Sequence, residues 1–359
     1  MIDAAGTDGD EGSLAGALAA IRREIPPALL ADPGGRRVLD VARTLPAALA
    51  RRPTGFELRL SGPASADLFV GAVPRASDGR ALLAWARRAE LTELARGLEA
   101  WRSGFGWLAW YAKHMGLGFD ATTEGRRVPP CVYLTPLGAD DDGPVEVPTN
   151  AFHASPRGLV AALAALSGSP PEPRAIEDVE RLLAVLPPFA EIFCAGAMIS
   201  RATARAPRLV IRRLRPDGIG AVLVALGQGE AAEHLVPVAA ELRERGARLA
   251  LSLDVGAAAS AAAGVEAHAG RHWTEGSPEG WAPVLDALVA RGLAEPDRAE
   301  AATGLPGARG PDGQVFGIGH VKIAADAAGL RPAKLYLGVV RAAAAVAARG
   351  EFALARGAE

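Results

Sequence analysis

Along this chain, short runs in which every second residue is apolar alternate with longer stretches whose apolar residues recur at helical spacing. Phe56, Leu58 and Leu60 alternate with Glu57 and Arg59, the period of two that marks a strand with unlike faces. Such runs come in pairs: Gly55–Leu60 with Asp67–Val73, Leu117–Asp120 with Val132–Pro136, Glu191–Ile199 with Leu209–Leu214, Leu249–Val255 with Gly264–Ala269, and Gly319–Ala324 with Lys334–Val340. Each pair is separated from the next by amphipathic helical stretches, and the pairs begin roughly 55–75 residues apart, the mark of an internal repeat. The pattern predicts an α+β fold, a ten-stranded antiparallel β-barrel ringed by α-helices.

Capping and breaking residues place the helices. Ser13 caps a first helix to about Arg23, ended by Pro26 and Pro27, and Arg36–Arg51 is a second helical stretch closed by Pro53. Asp78–Met115 reads as mostly helical, with Gly104 and Gly106 as interruptions and Trp101, Trp107 and Trp110 clustered there. Further helices are expected at Pro156–Ser167, Ala175–Leu186, Ile219–Leu226, Ala231–Arg245, Pro278–Gly292, Pro296–Thr303 and Ala342–Ala348. Glu124–Pro130 reads as a basic loop, Asp140–Pro144 as an acidic turn, and Ser200–Pro207 as a connection carrying Arg201 and Arg205. Residues 1–12, acidic and Gly-rich, are expected to be a disordered tail. No Pro/Ser-rich linker interrupts the ββα rhythm, so residues 13–359 are expected to form one domain.

An antiparallel sheet packed on helices buries its apolar face against them, so the polar face of a ringed barrel becomes its lumen. By this rule Glu57 and Arg59 enter from the first hairpin, and Cys131, Tyr133 and Thr135 from the second. Arg208, Val210 and Arg212 enter from the third; Ala250, Ser252, Asp254, Glu266 and His268 from the fourth; His320, Lys322, Lys334 and Tyr336 from the fifth. Buried charges are costly unless paired or held by a ligand, which points to a water- or ligand-filled cavity. An open sheet with these residues on solvated faces is the competing reading.

Composition narrows the class. The chain has 359 residues, 50% of them hydrophobic, and a net charge of −2, which gives no basic footprint for nucleic acid. Two cysteines, Cys131 and Cys194, make no disulfide framework, and the N-terminus has no basic, then apolar, leader pattern. The longest apolar runs are shorter than a membrane span. Cytoplasm is the expected compartment. Among 39 basic residues lysine occurs only as Lys113, Lys322 and Lys334, and the last two share the lumen face of one hairpin. Lysine is a compact point charge suited to phosphate oxygens, although chance placement or a protective edge lysine would also account for it.

Several chemistries find no support. The chain has no Gly-x-Ser-x-Gly elbow, no Gly-x-Gly-x-x-Gly opening a βα unit and no P-loop among its glycines. His268 and His320 could meet across the last two hairpins, with Glu266 and Asp254 beside them, as a metal site or an acid–base pair. Their spacing follows no established metal signature, so structural histidines and no metal are expected. His272 and Trp273 are expected in a loop just after the strand, where they could line the mouth.

Cys131-Val132-Tyr133-Leu134-Thr135-Pro136, Arg208-Leu209-Val210-Ile211-Arg212 and Lys334-Leu335-Tyr336, set in five repeats from Arg36 onward, resemble the strand signature of the ABBA, or prenyltransferase-barrel, superfamily. Its members build a ten-stranded barrel from five αββα units and attach isoprenoid groups to aromatic rings. Their basic-x-basic-x-Tyr and Lys-x-Tyr strands point at the diphosphate. Lys334-x-Tyr336 is intact here; Cys131 stands in a lysine place, Val210 and Arg212 depart from the longer pattern, and Asp67–Val73 carries no cation. Glu57 lies where the indole-modifying branch has a first-strand base.

The resemblance implies a transferase of bacterial secondary metabolism, with an aromatic or peptide acceptor as in the biosynthesis of ribosomally made peptide products. The partners it implies are an allylic diphosphate and that acceptor, with no nucleic acid and no membrane; no cofactor is certain beyond the option of Mg²⁺ with the diphosphate. Arg59, Arg212, Lys322 and Lys334 are the candidates to hold the diphosphate, and Tyr133 and Tyr336 to shield an allyl cation. Glu57 is the candidate base, backed by Glu266, His268 and His320. Aromatic residues are only 5% of the chain. Two other readings stay open: an enzyme of another class on the same barrel, using these Glu, His and Lys residues on a polar substrate, and a non-catalytic binding barrel.

Overall fold

A computed structural model describes residues 13–52, 54–73, 77–104, 107–120, 130–136, 151–199, 206–256, 262–270, 277–309 and 314–341. The expected tail 1–12, the loops at 124–129 and 140–144, residues 200–205 with Arg201 and Arg205, His272, Trp273 and the helix 342–348 lie outside them.

Five hairpins are present, as the alternation predicts. They are β1 (Thr54–Arg59) with β2 (Ala66–Ala72), β3 (Ala112–Phe119) with β4 (Cys131–Pro136), β5 (Glu191–Ala197) with β6 (Arg208–Arg212), and β7 (Arg248–Asp254) with β8 (Ala263–His268). The last hairpin joins β9 (Gln314–Asp326) through the two-residue β10 (Gly329–Leu330) to β11 (Lys334–Arg341). All pairings are antiparallel. β1 pairs with β11, and β8 pairs with both β7 and β9, so ten strands close into a ring. β10 only extends the turn on β9.

Two faces with opposite burial confirm which side is core. Along β1, Phe56 is 2% and Leu58 0% exposed, while Glu57 and Arg59 are half-buried. Leu335 and Leu337 on β11 and Val321 and Ile323 on β9 repeat the pattern. These side chains pack under the helices, each stabilising the fold by roughly 1.5–3 kcal/mol. The helical layer includes α1 (Leu14–Glu24), α2 (Asp32–Thr44) against β2, α7 (Pro156–Ser167) against β5, and α10 (Gly229–Glu244) against β8 and β9.

Local chemistry explains most helix ends. Ser13 accepts a hydrogen bond from the Gly16 N–H at 2.9 Å, satisfying one orphan amide of α1. Ser13→Ala should therefore cost about 1 kcal/mol, measured as a lower midpoint in urea; an unchanged midpoint would show that the cap is idle. Pro156 and Pro296 occupy the first turns of α7 and of α12 (Pro296–Thr303), where a missing N–H costs nothing.

Two expectations need correction. The stretch Arg36–Arg51 is not one helix: α2 begins at Asp32, ends at Thr44 and gives way through extended Leu45 and Pro46 to a short 3₁₀ turn, Ala47–Arg51. The helical reading of Asp78–Met115 runs too far. It resolves into α3 (Ser77–Arg88), α4 (Thr92–Ser103) and α5 (Trp107–Tyr111), after which residues 112–115 already belong to β3. Gly104 does end α4, in the left-handed conformation. No breaker separates Tyr111 from Ala112, so the local sequence carries no sign of the switch.

Candidate active site

Register, rather than sequence proximity, assembles the lumen. Arg59 on β1 stands opposite Lys334 on β11, Lys334 opposite Lys322 on β9, and Lys322 opposite Glu266 on β8. Three cations thus sit side by side on three adjacent strands. Two pairs further along, on the same face, Asp67, Glu57, Tyr336 and His320 form a parallel row across β2, β1, β11 and β9. Like charges directly opposite one another are destabilising, so the Arg59–Lys334–Lys322 row needs anions near it.

Carboxylates supply part of that need. Lys334 Nζ donates to Glu57 Oε1. Lys322 Nζ donates to Ser252 Oγ at 2.6 Å and lies 3.6 Å from Glu266 Oε1. Arg59 is different: its Nε donates to Ser65 Oγ at 2.7 Å, and among the described residues no carboxylate lies within ion-pair distance of it. Across the lumen Arg208 grips Asp254 through two bonds of 2.7 and 2.9 Å. Gly264 faces Lys322 at close range; a Cβ there would sit 2.7 Å from Lys322 Cε, so the glycine makes room for the lysine stem.

The surroundings shift the ionisable groups. Burial pushes Glu57 upward, but Lys334, through charge and hydrogen bond, then the Tyr336 hydroxyl and Lys322, outweigh it and hold the carboxyl at about 2. Burial and the neighbouring Arg208 bring Lys322 down to about 8. His320 falls to about 4, chiefly by burial, and His268 is lowered for the same reason. Burial would raise Glu266, yet His320, Lys322, His268 and Arg208 around it keep it below the usual range. Burial and the Glu57 charge raise Tyr336. At neutral pH the site therefore presents ionised carboxylates and neutral imidazoles.

Aromatic rings complete two walls. Tyr336 stacks on His320 with centroids 4.0 Å apart, and His320 lies 5.3 Å from His268. On the far side Phe69 and Tyr133 meet at 6.1 Å. A Cβ on Gly116 would come within 2.3 Å of the Phe69 ring, so that glycine leaves the space the ring fills.

Of the residues singled out from sequence, Glu57, Arg59, Lys322, Lys334, Tyr336, Glu266, His268 and His320 come together on neighbouring strands. Tyr133 faces the lumen from the opposite wall. Arg212 does not join the lysine row: it lies three strands from Lys322, about 14 Å along the wall, pairs with Glu191 and sits 4.7 Å over the Phe193 ring. Phe69 and Glu191 were missed. Phe69 shares the lumen parity of Asp67 and Gly71, the one signal that could have found it; Glu191 opens β5 just before a bulge and gives none.

No protein-family model matches the chain, and no curated protein sequence does. Solved structures do resemble it. A 6-dimethylallyl tryptophan synthase superposes with a TM-score of 0.53 at 17% identity, covering 93% of this chain and 96% of that one. The 6-dimethylallyltryptophan synthase of Micromonospora olivasterospora, solved in complex with DMASPP and Trp, superposes at 0.52 and 17%, covering 92% and 97%. The likeness is one of architecture. The chain has the fold of the prenyltransferase barrels, as its repeat and strand motifs implied.

Proposed function

We infer that the chain is an aromatic prenyltransferase. The observation that carries this reading is the row Arg59–Lys334–Lys322, three cations on adjacent strands of a prenyltransferase-type barrel, beside an ionised Glu57 and the Tyr336 and His320 rings. The allylic C–O bond breaks and its electron pair leaves with the diphosphate, whose growing charge the cations stabilise. Ring faces shield the allylic cation. A ring carbon of the acceptor bonds to the allylic carbon, and Glu57 holds the proton-bearing side of the ring and receives its proton. The known complex of a structural neighbour with DMASPP and Trp supports an electron-rich ring as acceptor; a ring carried on a peptide has the same chemistry.

Because Glu57 and Glu266 already engage the two lysines, a diphosphate must draw both away. Asp254 and Glu191 likewise occupy Arg208 and Arg212. We propose the cytoplasm as the compartment. Among the described residues no helix is long and apolar enough to cross a membrane, and Cys131 and Cys194 form no disulfide.

Calorimetry with dimethylallyl or geranyl diphosphate tests the reading. Lys322→Ala removes a charge-assisted contact of ~1.5–3 kcal/mol and should weaken binding at least about tenfold. Lys322→Arg should rescue only part, since a planar fork does not reproduce a point charge. If the unaltered protein gives no heat with any allylic diphosphate, with or without magnesium, the reading fails and an acid–base enzyme acting on a polar substrate takes its place.

A further inference from the structure

We propose that Glu266, His268 and His320 form a transition-metal site in the barrel wall, open toward the lumen. One ligand atom from each of the three lies within 4.8 Å of the others. The sheet dictates the arrangement. Glu266 and His268 are two apart on β8 and so project from one face. His320 stands on neighbouring β9, one residue beyond Val321, which closes the β8–β9 ladder opposite Ala267.

A bulge prepares the second ligand. Between Tyr336↔His320 and Leu337↔Ile318 the register slips, leaving Gly319 as the extra residue. The Gly319 carbonyl oxygen lies 2.9 Å from His268 Nδ1. A carbonyl can only accept, so Nδ1 carries the proton and Nε2 keeps its lone pair. A backbone carbonyl on the outer nitrogen is how ligating histidines are commonly oriented. Glu266 divides its oxygens: Oε1 faces Lys322 Nζ at 3.6 Å and Oε2 faces His320 Nε2 at 3.9 Å. Oε2 is thus the oxygen on the imidazole side.

Two imidazoles and one carboxylate suit Zn²⁺, Co²⁺ or Fe²⁺ with a position left open, and disfavour Mg²⁺, which prefers oxygen. Bonds of about 2.0–2.2 Å require the three atoms to draw closer, a movement side-chain rotation on fixed strands supplies. Lys322 is the competing cation. An ion that takes Glu266 would release Lys322 for an anion, a coupling that rests on the diphosphate reading; the site itself does not.

The test uses metal-free, tag-free full-length protein without any diphosphate, titrated with Co²⁺ by visible absorption and with Zn²⁺ by calorimetry. One equivalent per chain is expected, with the intense visible band of low-coordinate Co²⁺. His268→Ala and His320→Ala should each weaken binding on the order of 100-fold, the upper end of what even outer-sphere partners contribute. Should either melt early, the glutamine variant replaces it. Lys322→Met should bind the ion more tightly, an effect opposite in sign to any loss of fold. His234→Ala, on α10, should change nothing. Absence of stoichiometric uptake, uptake that survives both histidine substitutions, loss in His234→Ala, or weaker binding by Lys322→Met each overturn the site. With no diphosphate in the cell, such a failure leaves the prenyl-transfer reading standing, and a missing heat with diphosphate leaves the metal site standing.

Discussion

Asp254→Ala is expected to destabilise the folded protein by about 3–5 kcal/mol. Asp254 and Arg208 face each other across β7 and β6 and are joined by two hydrogen bonds, with side chains only 10% and 14% exposed. Removing the carboxylate leaves a guanidinium out of water with Lys322 as a neighbour, and a guanidinium does not escape by losing its proton. Burial opposes the charge on Arg208, but Asp254 raises its pKa well above the ordinary value. The melting temperature should fall by roughly 4–7 °C. Replacing both partners, as Arg208→Met with Asp254→Leu, should recover most of the loss, because paired buried charges add little over well-packed apolar groups. If Asp254→Ala melts like the unaltered protein, Arg208 has another anion or reaches solvent, and the closed, charge-paired lumen described here is wrong.

How much of this was legible in the sequence follows from what alternation encodes. Period two in Phe56–Leu60 or Leu249–Leu253 reports that a strand has two faces and which is apolar, so the hairpins and the inward set Glu57, Arg59, Glu266, His320, Lys322 and Tyr336 could be read directly. Parity with Asp67 puts Phe69 on the lumen face, but an apolar side chain at an inward position carries no polar signal, so alternation alone does not mark it as part of the site. Nor does alternation along one strand say what stands opposite on the next. The like-charge row Arg59–Lys334–Lys322 and the pairs Lys334–Glu57 and Arg208–Asp254 are properties of register between strands up to 277 residues apart. Bulges slip that register at His114, Cys194 and Leu337 without a local cue. The switch from α5 to β3 at Ala112 was illegible for a related reason: sheet pairing with β2 and β4 overrides a stretch that carries no breaker.

Glu57→Gln should separate stability from chemistry at this site. The folded protein holds the Glu57 carboxyl at about 2, against an ordinary 4.5. A depressed carboxylate contributes stability that is fully present above its unfolded pKa and is lost as pH falls through the folded one. The contribution amounts to up to about 3 kcal/mol, somewhat less in practice because the side chain of Lys334, the main partner, is 30% exposed. Denaturation at stepped pH should therefore show the unaltered protein ahead of Glu57→Gln at pH 7, the gap closing between about 4.5 and 2. Turnover should fall about 10²-fold, the usual contribution of a general base, while affinity for the allylic diphosphate holds or improves, since Lys334 no longer has a carboxylate to leave. A carboxyl held so low is a weak base until the diphosphate takes Lys334 away. The pH–rate profile with diphosphate bound should accordingly show an acid limb well above 2, and none in Glu57→Gln. Equal turnover in the two proteins would remove Glu57 from the chemistry and leave it as the counter-ion of Lys334.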